Sequence, residues 1–179
     1  EVFGLSSRGC EFRCKYCHEF RYWGGVIRQY PARRIVDEMD RLAVEYGNAM
    51  RGIDDSMLNM LEPYFVDLMD QLGASPHLPE KFGLLTRVDT IGLEGLEAMK
   101  RAGIRSISVG MESGSKRVLE IMNKEVTVEQ GRRGLTMARD AGAEMSCFFI
   151  VGHPGDNPRE AETTLKFVEQ LFNERLTIW

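Results

Sequence analysis

Three of the chain's four cysteines stand within eight positions, in the stretch SSRGCEFRCKYCHEF (residues 6–20). Cys10, Cys14 and Cys17 follow the spacing C-x3-C-x2-C, while Cys147 lies ~130 positions further on, which is no framework for disulfide pairs. A clustered trio of this kind reads as metal ligands. Structural zinc asks for four ligands, either four cysteines or three with a histidine. His18 adjoins Cys17, and adjacent residues rarely enter one tetrahedron; His77 and His153 would have to come from far along the chain. An electron-transfer iron–sulfur cluster normally takes four cysteines, and Cys147 sits inside an apolar run. Three thiolates on a four-iron cluster leave one iron without a protein ligand. An open position of that kind marks a metal site that binds substrate or cofactor. On the cysteines alone, all three readings stay open.

Further polar groups fall at regular intervals, and the elements between them explain why. The segment 1–7 reads as a strand. Pro31 then suits a first helical turn, with Ile35, Val36, Met39, Leu42, Ala43 and Tyr46 at helical spacing. A thin strand is predicted at 49–54, then a helix carrying Leu61, Tyr64, Phe65, Leu68, Met69 and Leu72. Another strand is expected at 81–86, followed by a helix through Leu93, Leu96 and Met99 that Gly103 stops. Next come a strand at 104–110, a short helix near 115–122, and a longer one from Thr127, where Thr127 and Gln130 form a capping-box pattern. A strand at 143–152 leads to a helix begun by Asn157, Pro158 and Glu160, with Leu165, Val168 and Phe172 as its apolar positions. RLTIW opens a sixth strand.

This is (βα)5β, an α/β chain with parallel strands and right-handed crossovers, either an open doubly wound sheet or part of a barrel. Chemistry in such folds gathers at the carboxyl ends of the strands. Here those ends carry Arg8 with the cysteines, Asp54 with Asp55, Arg87 with Asp89, MESGS (111–115) and GHPGD (152–156). Any one of these is also ordinary turn chemistry; five in succession suggest one mouth. Cys147 shares strand parity with Met145 and Phe149 and reads as a packed apolar residue. His153, at the mouth, suits a turn or proton transfer to a substrate.

With 179 residues, 43% of them hydrophobic and 28% charged, the chain suits one domain with a real core. A net charge of -4 calls for neither nucleic acid nor an anionic membrane. The longest apolar run, CFFIVG, is far too short to span a bilayer, and no signal peptide opens the chain. Clustered thiols point to a reducing, cytoplasmic setting. Because the chain begins in one strand and ends in another, it reads as a fragment of something longer.

The cysteine spacing, with Tyr16 before the last cysteine, resembles the signature of the radical S-adenosylmethionine (radical SAM) enzymes. The likeness extends along nearly the whole chain and is closest to the branch often fused to a cobalamin-binding domain. SSRGCEFRCKYC resembles that branch's opening, and IDDSMLN its aspartate pair after the second strand. VGMESGSKRVLEIMNK resembles its Gly-x-Glu-Ser-Gly segment, and FFIVGHPGD its Gly-x-Pro-Gly segment. The resemblance implies a partial (β/α)6 TIM-like barrel, truncated near the sixth strand, with residues 1–179 forming the core domain. It implies a [4Fe-4S] cluster on Cys10, Cys14 and Cys17 that reductively cleaves S-adenosylmethionine (SAM). The resulting 5′-deoxyadenosyl radical abstracts hydrogen from an organic substrate, as in methyl transfer or ring formation. It also implies an electron donor such as flavodoxin or ferredoxin, and cobalamin only through a domain outside this chain.

Carried over by position, Tyr16 would border the adenine, and Asp54 and Asp55 would lie near the methionine amino group. Glu112 and Ser113 would meet the ribose hydroxyls or the methionine end. Arg87 would pair with the SAM carboxylate, and Gly152 would let backbone approach the adenine. Each has a plainer alternative: loop packing for Tyr16, helix capping for Asp54, Asp55, Glu112 and Ser113, a surface ion pair for Arg87, a turn for Gly152. Two positions depart from the branch: Glu11 where proline is frequent, and Met57 where phenylalanine is. The competing reading is a non-catalytic iron–sulfur or zinc module for electron transfer or scaffolding.

Overall fold

Residues 1–78 and 82–173 are described in a computed structural model of the chain. The first part runs β1 (Val2–Gly4), β2 (Ser7–Arg8), α1 (Glu19–Trp23), β3 (Arg28–Gln29), α2 (Ala32–Tyr46), β4 (Met50–Ile53) and α3 (Pro63–Gly73). Then come β5 (Gly83–Arg87), α4 (Leu93–Arg101), β6 (Ser106–Glu112), α5 (Lys116–Ile121), α6 (Val128–Asp140), β7 (Glu144–Phe149) and α7 (Pro158–Asn173). The predicted sixth strand, RLTIW, lies outside the described residues.

One parallel sheet holds five strands in the order β1-β4-β5-β6-β7. Each strand lies beside its predecessor, so right-handed crossovers bring every helix to the same face. A doubly wound sheet would reverse its order at a switch point. The order therefore selects the partial TIM-like barrel. Along β6, Ile107, Val109 and Met111 are buried in the core, while Ser106 is exposed and Ser108 and Gly110 are half-buried. The second set lies on the face turned from the helices, in register with Leu85 and Arg87 on β5 and Ser146 and Phe148 on β7.

Local chemistry explains most boundaries. Pro31 precedes α2 and Pro63 opens α3, where a missing N–H costs nothing. After α4 the amides of Gly103 and Ile104 return to the carbonyls of Lys100 and Met99, a Schellman ending. The Thr127–Gln130 capping box forms as expected. The thinness of β4 also has a cause: a Cβ on Gly52 would lie 1.9 Å from the Gly83 carbonyl oxygen.

Three features differ from expectation. Strand 1–7 divides into β1 and β2, and β2 turns away to pair antiparallel with β3. Between them lie the cysteines and the short α1, which apolar periodicity does not announce. The helix α7 buries Thr164, Phe167 and Leu171, leaving Leu165 at 55% and Phe172 at 69% exposure. Its inward face is one residue round from the predicted stripe, a rotation of about 100°. The Thr164 hydroxyl accounts for this, since it meets Ser113 at the end of β6 at 2.8 Å.

Candidate functional site

The cysteine loop leaves β2 and packs where β5 and β6 end. Cys10 and Cys14 are buried and Cys17 is half-buried, all with free thiols. A turn bond from the Cys17 amide to the Cys14 carbonyl (3.2 Å) shapes the loop. The segment after α5 then holds it from outside. The Lys15 amide donates to the Met122 carbonyl (2.8 Å), and Asn123 Nδ2 donates to the Arg13 carbonyl (3.2 Å). From the other side, Ser56 donates to Glu19 on α1.

Lys124 completes the cradle and is the residue that motif reading passed over, although it closes the VGMESGSKRVLEIMNK segment. It is 2% exposed. Its Nζ lies 3.0 Å from Glu112 Oε1 and 3.2 Å from the Tyr16 hydroxyl. Glu112 ends β6 with a positive φ of 71°, which lifts its carboxylate over the strand end. The pair needs the glycine two positions earlier: a Cβ on Gly110 would lie 2.5 Å from Glu112 Oε1 and 3.2 Å from Lys124 Nζ. Tyr16, Lys124 and Glu112 thus form one network beside Cys14. Burial, then the charges of Glu112 and Cys14, push the Tyr16 pKa up, so its hydroxyl stays protonated and able to donate.

Arg87, at the end of β5, is 6% exposed. Its Nε and Nη2 each donate to Asp89 at 3.0 Å, and Nη2 also donates to the Lys124 carbonyl at 2.6 Å. Nη1 points at Cys14 Sγ, 3.3 Å away, and the guanidinium carbon stands 3.6 Å from the centre of the Phe12 ring. Burial works against its charge, and the bonds and charge of Asp89 more than offset that, holding the pKa above its ordinary value. Cys10 is moved mainly by burial, which raises its pKa; a hydrogen bond to the Phe12 backbone and the charge of Arg87 oppose this, and the other two thiols add to it.

The remaining predicted residues divide. Asp55 is 1% exposed, and its carboxylate accepts from the Ser6 amide (2.7 Å), the Ser6 hydroxyl (2.5 Å) and the Ser7 hydroxyl (2.7 Å). It braces the entry to the cysteine loop. Asp54 is exposed, its amide bonded to the Gly4 carbonyl. Ser113 is buried against Thr164 and accepts from the Ser115 amide, so it ties β6 to α7. Gly152 has a φ of +83° and open space where a side chain would stand, and its amide donates to Asp156. His153 Nδ1 is buried without a hydrogen-bond partner. Glu11 is exposed and Met57 buried. Cys147 is fully buried in β7, its thiol pushed up to about 11 by burial. A cavity of about 630 Å³ between Arg51, Gly83, Arg105 and Glu144 lies at the opposite, amino-terminal end of the strands and includes none of these groups.

Among the described residues no three Cys, His, Asp or Glu side chains are gathered tightly enough for a single metal ion. A four-iron cluster places each thiolate on a separate iron, so its ligands stand further apart. Three soft donors on one loop, two of them buried and one facing an Arg N–H, fit such a cluster.

The sequence profile of the Radical SAM superfamily matches residues 5–168. An uncharacterized methyltransferase of Pyrococcus horikoshii is 31% identical over 170 residues, covering 93% of this chain and 36% of the relative. An anaerobic magnesium-protoporphyrin IX monomethyl ester cyclase of Cereibacter sphaeroides is 29% identical over 164 residues, covering 89% and 26%. This chain therefore spans about a third of the length of such relatives. In fold it matches the solved radical SAM methyltransferase TsrM of Kitasatospora setae, seen with cobalamin and a [4Fe-4S] cluster. The TM-score is 0.81 at 22% identity, covering 95% of this chain and 35% of that one.

Proposed function

The chain belongs to the radical SAM superfamily, and from that premise we propose that it is the catalytic core of an enzyme acting on an organic substrate by hydrogen abstraction. The non-catalytic module is set aside by that membership. Cys10, Cys14 and Cys17 would hold a [4Fe-4S] cluster at which SAM would bind. Such a cluster, once reduced, supplies the electron that cleaves SAM to methionine and a 5′-deoxyadenosyl radical.

The residues of this chain bind, orient and exclude water. Tyr16 and Gly152 border the adenine, the first as a protonated phenol beside Lys124 and the second as bare backbone with room around it. Glu112 receives the ribose or methionine end, and Lys124 Nζ donates to its carboxylate in a buried place. Asp54 stands near the amino group. Asp55, Ser113 and Arg87 serve by holding the loop, β6 and the cluster ligand in place, since their polar atoms are engaged within the protein. The observation that carries the reading is the convergence of the three thiols and the Tyr16–Lys124–Glu112 network at one end of the sheet.

The named relatives favour methyl transfer or ring formation as the outcome. A cobalamin domain elsewhere in a longer protein, residues 1–179 forming its core, accords with that. A flavodoxin or ferredoxin suits the electron supply, and the cytoplasm suits thiols kept reduced. No helix among the described residues is long and apolar enough to cross a membrane. Anaerobic reconstitution with iron and sulfide tests the reading. About four irons per chain and reductant-dependent 5′-deoxyadenosine from SAM are expected; a loaded protein that leaves SAM intact under reductant overturns it.

A further inference from the structure

We propose that Arg87 sets the reduction potential of the cluster through Cys14, raising it so that an external donor can fill it. The inference rests on the cluster reading above. The guanidinium stands at the end of β5 with Nη1 3.3 Å from Cys14 Sγ. It cannot swing away: Asp89 holds Nε and Nη2, the Lys124 carbonyl holds Nη2 again, and Phe12 covers one face. With that side chain 7% exposed, water does little to screen its charge.

The step concerned is a one-electron reduction. A low-potential flavin or iron–sulfur protein loses one electron, the cluster gains it, and no proton moves. Because the reduced cluster is more negative, a fixed cation and an N–H···S bond at one ligand stabilise it more than the oxidised form, which raises the potential. Asp89 works the other way. It fixes the fork while its own negative charge, 18% exposed on the far side of the guanidinium, cancels part of the field. Arg87 is thus a positioning and tuning residue, acting on the iron through a sulfur.

The test is an EPR-monitored potential titration of reconstituted wild type, Arg87→Gln, Arg87→Lys and Asp89→Asn. Wild type must first show about four irons and a reducible signal; failure there sinks the cluster reading rather than this one. Arg87→Gln is expected to lower the reduced-to-oxidised ratio at a fixed potential about tenfold, a shift of about 59 mV to the negative. Arg87→Lys should fall between, and Asp89→Asn should move the other way. Damage to the fold would not give shifts of opposite sign. An Arg87→Gln protein with full iron and an unmoved potential overturns the proposal, as do equal-sign shifts in Arg87→Gln and Asp89→Asn. Should Arg87→Gln fail to load, the other two variants decide, and no shift in either overturns it.

Discussion

Replacing Asp55 separates two roles for that residue, since one is paid in stability and the other in affinity for SAM. Its carboxylate accepts three hydrogen bonds, all buried, from the Ser6 amide and the Ser6 and Ser7 hydroxyls. A bond to a charged acceptor contributes about 1.5–3 kcal/mol. Asp55→Ala does not lose three times that, because the hydroxyls can rotate to new partners and the carboxylate's desolvation cost vanishes with it. The Ser6 amide cannot rotate and stays unpaired. The net loss is about 3–5 kcal/mol, or a Tm lower by roughly 6–20 °C for a chain of this size. Asp55→Asn keeps an acceptor for that amide and should cost about 1 kcal/mol. Urea unfolding followed by far-UV circular dichroism, with SAM binding measured on the same anaerobic samples, reads both quantities. The pH dependence has a defined sign. Burial raises the Asp55 carboxyl above its ordinary 3.8 despite the three donors, so the folded state holds that proton more tightly than the unfolded one. Wild type's margin over Asp55→Asn is therefore fullest below 3.8 and shrinks as pH rises through the raised value. An Asp55→Ala protein as stable as wild type but poor at binding SAM would refute the bracing role.

Two further outcomes bear on the site. Lys124→Met leaves Glu112 enclosed without its cation, with side-chain exposures of 3% for Lys124 and 10% for Glu112, and should cost about 3–5 kcal/mol. Adding Glu112→Gln should recover much of that; a double-mutant cycle with coupling near zero would show that the pair holds nothing. Cys147→Ala should retain full iron content at a stability cost of about 1–2 kcal/mol, whereas Cys10→Ala, Cys14→Ala or Cys17→Ala should each lose the cluster's visible absorption. In the native protein, Cys147 should also resist iodoacetamide.

Periodic elements were legible because their signals are local. Helix α6 announces itself through Thr127 and Gln130, α4 ends where Gly103 permits, and the alternating strands place five polar clusters at one end. The cysteine spacing is local too. What could not be read is which way a polar side chain turns once the chain has folded. Asp54 and Asp55 are adjacent and alike, yet one is exposed and the other faces serines 48 and 49 positions earlier. Ser113 finds Thr164 across 51 positions, and the same hydroxyl pair rotates α7 away from its apolar stripe. Lys124 carries no local signal; only the distant Tyr16 and the loop geometry make it central. The five-residue α1 and the two-residue strands β2 and β3 are too short to show a period.

The grip of residues 122–124 on the cysteine loop also fixes an order of events during synthesis. Lys124 and Asn123 reach back 108 and 110 positions to Tyr16 and Arg13, and Arg87 reaches back 73 to Cys14. The thiols leave the ribosome before several of the groups that hold them, which arrive only when β5, β6 and α5 are made. Until then the loop lacks that grip, and closing so long a span is entropically slow. On the proposed function, the loop is fully held for a cluster only once translation has passed Lys124.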